Sequence, residues 1–333
     1  MNAPRATAAD DIDMLIGSPE VVTATEAARV QPVREKAPAH DAFTRLLHRL
    51  EPDPETLWRE TRPLIRPASG VLVIDDTTLD KPYARHMTPV TRHWSGKHHA
   101  VVQGINLVSL VWSDGDVILP CDYRIYHKTG DGLTKNDHFA AMMETARQRG
   151  FQPECVLFDG WYASLDNLKQ IRGLGWTFLT RLKSNRLVRL AGGPAKSITQ
   201  QPISETGTEV WLPGFGLIRV FRLVSPNGDT THWATNDLGM DELRRLMWAE
   251  WRWTIEEYHR GLKQNTGVEG CQCRSRRAQV NHIGMAVRAF VRLEWHRFTT
   301  GISWFEAKQR IIRDAVRRYI ELPLYNLPEP ATA

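Results

Sequence analysis

Val71-Leu72-Val73-Ile74-Asp75-Asp76 is the stretch that decides the fold. Its apolar residues run without polar alternation and are mostly β-branched, the pattern of a central strand buried on both faces. Two acids stand where that strand ends. Beyond them, Thr77 to His99 reads as a polar, basic loop carrying Lys81, Arg85, Arg92 and Lys97. Residues 99–112 and 116–126 read as two further strands joined by a Ser113-Asp114-Gly115 turn. A helix is predicted from Lys135 to Arg149, with Asn136 as its cap and Gly150 as its stop. Cys155 to Phe158 is a short buried strand ending at Asp159. A Ser164-capped helix reaches Leu174, Gly175 breaks it, and Trp176 to Leu182 is the next strand.

The order β-β-β-α-β-α-β implies an α/β fold, a mixed sheet with helices on both faces. In such a sheet the first strand commonly lies beside the fourth, so Asp75 or Asp76 can meet Asp159 at adjacent strand ends. Gly and Pro then punctuate short strands from 186 to 235, a β-rich insertion longer than a connection requires. The helical pattern resumes at Asp241. One helix is predicted from Trp248 to about Gln264, with Trp248, Trp251, Ile255, Tyr258 and Leu262 as its buried stripe. Beside that stripe run Arg252, Glu256, His259 and Lys263, whereas Glu257 points to water. Helices follow over about 280–297 and 305–319, then a Pro-rich tail.

Upstream, residues 38–70 read as a small helical element (Phe43, Leu46, Leu47, Leu50, then Leu57 to Leu64), either DNA-contacting or simply packed. Residues 1–37 read as a flexible lead-in. The expected organisation is a catalytic core over 71–185 and 236–300, interrupted by 186–235 and followed by a C-terminal helix and frayed tail over 301–333.

Apolar content of 42% and charged content of 24% suit a globular chain. No apolar run is long enough for a membrane span, and no secretory leader is visible. Four scattered cysteines fit a reduced, cytoplasmic protein better than a disulfide scaffold or a zinc site. The net charge of +5 permits a polyanionic partner. Its excess concentrates between Arg244 and Arg318, where Arg274, Arg276, Arg277, Arg288, Arg292 and Arg297 suggest a phosphate-tracking surface.

Three acids thus stand at comparable places: Asp75 or Asp76, Asp159 and Glu256. Three hard oxygen ligands suit a pair of Mg²⁺ ions, with Mn²⁺ as the alternative, rather than zinc or copper. Two such ions about 4 Å apart suit phosphodiester cleavage. The motifs IDDTT (74–78), FDGWY (158–162), TNDLG (235–239) and RWTIEEYHRGLK (252–263) give the chain its likeness. It resembles the DDE transposases of bacterial insertion sequences, in the group with a Tyr-Arg-Glu-Lys signature and a β-strand insertion in a ribonuclease-H-like core. The resemblance covers about 71–297. Arg252, Glu256 and Lys263 keep the signature's spacing, whereas its Tyr is replaced by Ala249.

The resemblance implies that Asp75 or Asp76, Asp159 and Glu256 bind the metal ions, with Asp75 preferred because it continues the strand. It implies that Arg252 and Lys263 hold DNA phosphates near the cut. Arg260, Arg274, Arg276 and Arg277 are further candidate DNA contacts. The implied activity is binding to terminal inverted repeats, cleavage of double-stranded DNA and strand transfer into a target, by a homodimer assembled on DNA. A repurposed, inactive DNA-binding relative and a ribonuclease-H-like nuclease without strand transfer are the alternatives. Tyr162 and Tyr258 read as structural, Trp161 as core or a base-stacking ring, and His93, His98 and His99 as surface or phosphate contacts.

Overall fold

A computed structural model describes residues 4–20, 22–32, 37–95, 100–127, 130 and 132–325. Four helices open the chain: α1 (Ala8–Gly17), α2 (Ala24–Arg29), α3 (His40–Arg49) and α4 (Pro54–Thr61). Next come β1 (Val71–Asp80), β2 (Thr91–Ser95), β3 (Ala100–Ser113), β4 (Ile118–Tyr126), α5 (Lys135–Gln148), β5 (Cys155–Phe158), α6 (Leu165–Gly173) and β6 (Phe178–Leu182). Five strands follow: β7 (Leu187–Val188), β8 (Lys196–Ser197), β9 (Thr208–Leu212), β10 (Gly216–Val224) and β11 (Thr230–Thr235). The last helices are α7 (Glu242–Trp251), α8 (Thr254–Asn265), α9 (Arg276–Thr300) and α10 (Trp304–Glu321).

β1 is central, as its composition demands, with Val71 to Ile74 fully buried. It pairs antiparallel with β3 and parallel with β5, with Ile74 opposite Phe158. β5 continues parallel to β6, with Phe158 opposite Thr180. The mixed sheet has nine strands and is flanked by helices, with β4 on the far side of β3. The strands of the expected insertion do not form a separate layer. β11 pairs antiparallel with β6, and β10 and β9 extend the same sheet beyond it.

α8 packs on one face of β1 through Ile255, Tyr258 and Leu262, all completely buried. Tyr258 in turn meets the Phe290 ring of α9 edge-on at 5.0 Å. α5 and α6 cover the opposite face, where Phe139 packs on Phe158 and Tyr162.

Several expectations need correction. The helix predicted from Trp248 to Gln264 is two helices. The Thr254 hydroxyl donates to the Trp251 carbonyl at 2.7 Å and competes for the acceptor that the Ile255 amide would use. That amide points instead to the Arg252 carbonyl, and the chain tightens at Arg252 and Trp253. Residues 1–37 hold α1 and α2 rather than a loose lead-in. Thr7 and Asp10 form a reciprocal cap, Ile12 and Leu15 are fully buried, and α1 rests on α9. Lys308 of α10 donates to the carbonyls of Ser18 and Asn265, each at 2.8 Å, tying that region to the core. Composition hid this because α1's short apolar stripe has a partner only once α9 is in place. The cap of α5 is Thr134, not Asn136. Much of the predicted 77–99 loop is the end of β1 and all of β2. Lys97, His98 and His99 lie outside the described residues, as does the end of the tail from 326.

Candidate functional site

Alternate residues of a strand point to opposite faces, and this separates the two neighbouring acids of β1. Ser109, opposite Asp75 in the β3 register, lies against the Tyr258 hydroxyl of α8, so Asp75 faces α8. Asp76 faces α5. Its carboxylate accepts from Asn106 Nδ2 at 2.7 Å, Lys135 Nζ at 2.6 Å and the Tyr162 hydroxyl at 2.8 Å. Although burial pushes the other way, Lys135 and these donors hold the Asp76 carboxyl below the usual range. A carboxylate so fully bonded has little capacity left for a cation.

Asp75 is in the reverse situation. Burial pushes its carboxyl well above the ordinary value, and the charges of Asp76, Asp159 and Glu256 push it further. The Asp76 backbone N–H, donating at 2.8 Å, eases it. Asp159 and Glu256, far from Asp75 in the chain, are therefore close enough for their charges to be felt at Asp75. The parallel register brings Asp75 and Asp159 together, because Ile74 opposite Phe158 sets Asp75 beside Asp159. α8 delivers Glu256 from above. Asp159 is held in place by its own turn, its Oδ1 accepting from the Trp161 N–H at 2.8 Å.

Cations flank this cluster. The register Phe158 opposite Thr180 sets Arg181 next in the row after Asp159. Arg181 is shifted downward by burial and by Arg252, with Asp159 opposing. Arg252 is buried at the tightened turn between α7 and α8, and among the described residues it forms no ion pair. Two guanidiniums beside a carboxylate cluster form a place for phosphate oxygens. Lys263 lies on the same helix face and donates to the Thr78 carbonyl at 2.6 Å, with Glu269 at 3.7 Å. It thereby ties α8 to the end of β1.

Other expected site residues lie differently. Arg260 turns to the opposite side of α8, near Glu257 at 3.8 Å, in a cleft with Gly115 and Asp116. His259, expected among cationic neighbours, is buried, and burial lowers it to about 3, so it is neutral at pH 7. The basic run of α9 is largely answered by acids: Arg277 by Glu51, Arg292 by Glu60 and Arg297 by Glu294. Arg288 also pairs with Glu60, which corrects the reading of Arg288, Arg292 and Arg297 as an open phosphate track. Arg274 is exposed, and Arg276 approaches His127 at 3.4 Å. His93 is half-buried beside Thr91 and Tyr126 rather than on the surface. Trp161, read more readily as core, is 58% exposed.

Sequence reading passed over Lys135 and Arg181. Lys135 showed only as the first residue of a helix. Arg181 could have been found by extending the row of strand-end residues one strand further.

The acids are hard oxygen donors around a buried Asp75 that has no cationic partner among the described residues, and hard oxygen donors suit divalent ions. Among the described residues, no three such side chains are within ligating range of one point. No described helix is long and apolar enough to cross a membrane.

A family model described as a DDE superfamily endonuclease matches residues 27–204, a span that includes Asp75, Asp76 and Asp159 and stops before Glu256. Two solved structures are similar. One is a piggyBac transposase synaptic complex with hairpin DNA, at 10% identity and a TM-score of 0.48, covering 100% of this chain and 80% of that one. The other is the Drosophila P element transposase strand transfer complex, at 8% identity and a TM-score of 0.29, covering 98% of this chain and 69% of that one. No curated protein sequence matches.

Proposed function

Because the chain belongs to the DDE superfamily of endonucleases, we propose that it is the DNA transposase of a bacterial insertion sequence. In this reading it acts in the cytoplasm on double-stranded DNA, binding the terminal inverted repeats of its element as a homodimer assembled on them. It nicks each end to free a 3′-hydroxyl, which then attacks a target phosphodiester in line.

The observation that supports the reading is that the buried Asp75 carboxyl is raised by the charges of Asp159 and Glu256, with no cationic partner on it among the described residues. Acids pressed together in this way are costly to a fold and are typical of functional sites. Asp75, Asp159 and Glu256 would hold two Mg²⁺ ions, or Mn²⁺. Bound there, such ions supply Lewis acidity and an activated oxygen for phosphodiester cleavage. Arg252 and Arg181 bind the phosphate next to the cut and offset its charge. Lys263 keeps the Glu256 helix registered on β1 and contributes positive charge beside the strand. Asp76 takes no ligand role and locks the end of β1 through Lys135 and Tyr162. Arg274, Arg276 and Arg277 are assigned to DNA farther from the cut, where exposed ion pairs such as Arg277–Glu51 exchange readily for phosphates.

The test incubates purified protein with a labelled duplex carrying an end of the DNA segment that encodes it, plus Mg²⁺ or Mn²⁺. Wild-type protein is expected to nick at the segment boundary and the Glu256→Gln variant to leave the duplex intact. Equal product from both proteins removes Glu256 from the chemistry and overturns the reading.

A further inference from the structure

We propose that Cys271 and Cys273 form a thiol-modification site, a pair that a small hydroperoxide oxidises reversibly to an intramolecular disulfide. It does not depend on DNA being the substrate. Both residues lie in the irregular segment that joins α8 to α9. Their side chains are hydrogen-bonded to each other, which pushes the Cys271 thiol up and the Cys273 thiol down from the usual range. Burial and Asp11 oppose the lowering of Cys273, and Lys81 assists it.

The backbone beneath the pair is pinned. Lys81 Nζ, itself buried, donates to the carbonyls of Glu269 at 2.6 Å and Cys271 at 2.7 Å. Gln279 Nε2 donates to the carbonyls of Cys271 at 3.0 Å and Cys273 at 2.7 Å. A cavity of about 200 Å³ opens on both cysteines, with Asp11, Thr23, Phe43 and Thr44 among its other walls. Cys271 is buried there and Cys273 half-buried, so Cys273 is the sulfur that a guest reaches first. Asp11 is buried in the same wall, and its Oδ2 has no hydrogen-bond partner among the described residues. A peroxide is small enough for this space and brings an O–H donor for that oxygen.

A zinc ion fits less well, because it needs ligands beyond the two sulfurs. No third group within ligating range joins them among the described residues. His282, also in the wall, has a ring nitrogen 3.1 Å from the Gly267 carbonyl, and burial, with Lys81 second, lowers it to about 4.

The thiolate is the nucleophile in such chemistry. Cys273 attacks one oxygen of hydrogen peroxide, the O–O bond breaks, and the hydroxide released takes up the proton that Cys273 gave up. Cys273 is then a sulfenic acid. The Cys271 sulfur attacks it, the S–O bond breaks, and the hydroxide leaves as water with the Cys271 proton. Two thiols are thereby oxidised to one disulfide, and one peroxide is reduced to two waters. Cys121 and Cys155 are fully buried and pushed up by burial, which keeps them as thiols.

The test exposes the reduced full chain to hydrogen peroxide, quenches with catalase, then denatures, alkylates and measures intact mass and peptide positions. Of the four free cysteines, wild type should keep only Cys121 and Cys155 open to alkylation, and dithiothreitol should restore the other two. Cys273 should react at least about tenfold faster than Cys121 or Cys155. Cys271→Ser should stop at a sulfenic acid on Cys273, trapped by dimedone, and Cys273→Ser should keep its remaining thiols. The wild-type measurement decides by itself even where a variant folds poorly. If wild type keeps all its thiols, or loses Cys273 alone to acids that dithiothreitol does not reduce, the site is overturned. Oxidation of Cys271 in Cys273→Ser at the wild-type rate overturns it equally.

Discussion

Asp75 and Asp76 are adjacent, alike and on one strand, yet the two faces of β1 treat them in opposite ways. On the α5 face, Lys135, Asn106 and Tyr162 surround Asp76 with donors and favour its charge. On the α8 face, Asp159 and Glu256 crowd Asp75 with more negative charge. The difference teaches that a buried acid is read by its neighbours and not by its burial. An acid among donors holds the fold together, and an acid among acids is kept at the fold's expense.

The largest way to break this comparison is cleavage. Asp75→Asn should reduce nicking of the end-bearing duplex by at least about a thousandfold, as should Glu256→Gln. Stability should move the other way. The folded-state carboxyl of Asp75 is raised, so its ionisation destabilises the protein as pH climbs past the unfolded value. In EDTA at neutral pH, Asp75→Asn should therefore melt above wild type, and Mg²⁺ or Mn²⁺ should raise the melting point of wild type but not of the variant. A lower melting point for Asp75→Asn would mean that the acid is structural.

Next in size is Lys135→Met, which leaves Asp76 without its counter-charge. Both side chains are slightly exposed, at 19% and 17%, so the loss is discounted to about 2 kcal/mol in urea unfolding. Because Asp76 is lowered in the fold, its contribution is complete above the unfolded carboxyl value and disappears as pH falls through the folded one. The gap between wild type and Lys135→Met should close over that acid range. Adding Asp76→Asn to Lys135→Met should recover part of the loss at neutral pH.

Asp11 sharpens the comparison from outside the site. Burial, with Asp10 second, raises it to about 6, and its Oδ2 has no partner among the described residues. Asp11→Asn should stabilise the protein at pH 7 by about 2 kcal/mol, the linkage value discounted for residual solvation, with cleavage unchanged. The gain should vanish as pH falls below 4. The smallest effect is expected from Tyr162→Phe, which removes one hydrogen bond to Asp76 and should cost about 1 kcal/mol.

Much of this molecule was legible as sequence because it depends on local rules. The β-branched run at Val71 to Ile74 could only be a central strand, and Gly150, Ser164 and Gly175 set boundaries through backbone and capping preferences that need no distant partner. The three acids stood out because each ends or borders such an element. What tertiary structure alone decided was which side chains answer one another. The strand register chose Asp75 over Asp76 for the acidic face, and it placed Arg181 in the same row. The meeting of α9 with α4 turned Arg288 and Arg292 from a presumed phosphate track into partners of Glu60. A residue's period along the chain tells which way it points, but its charge state and its task depend on groups that arrive from elsewhere in the sequence.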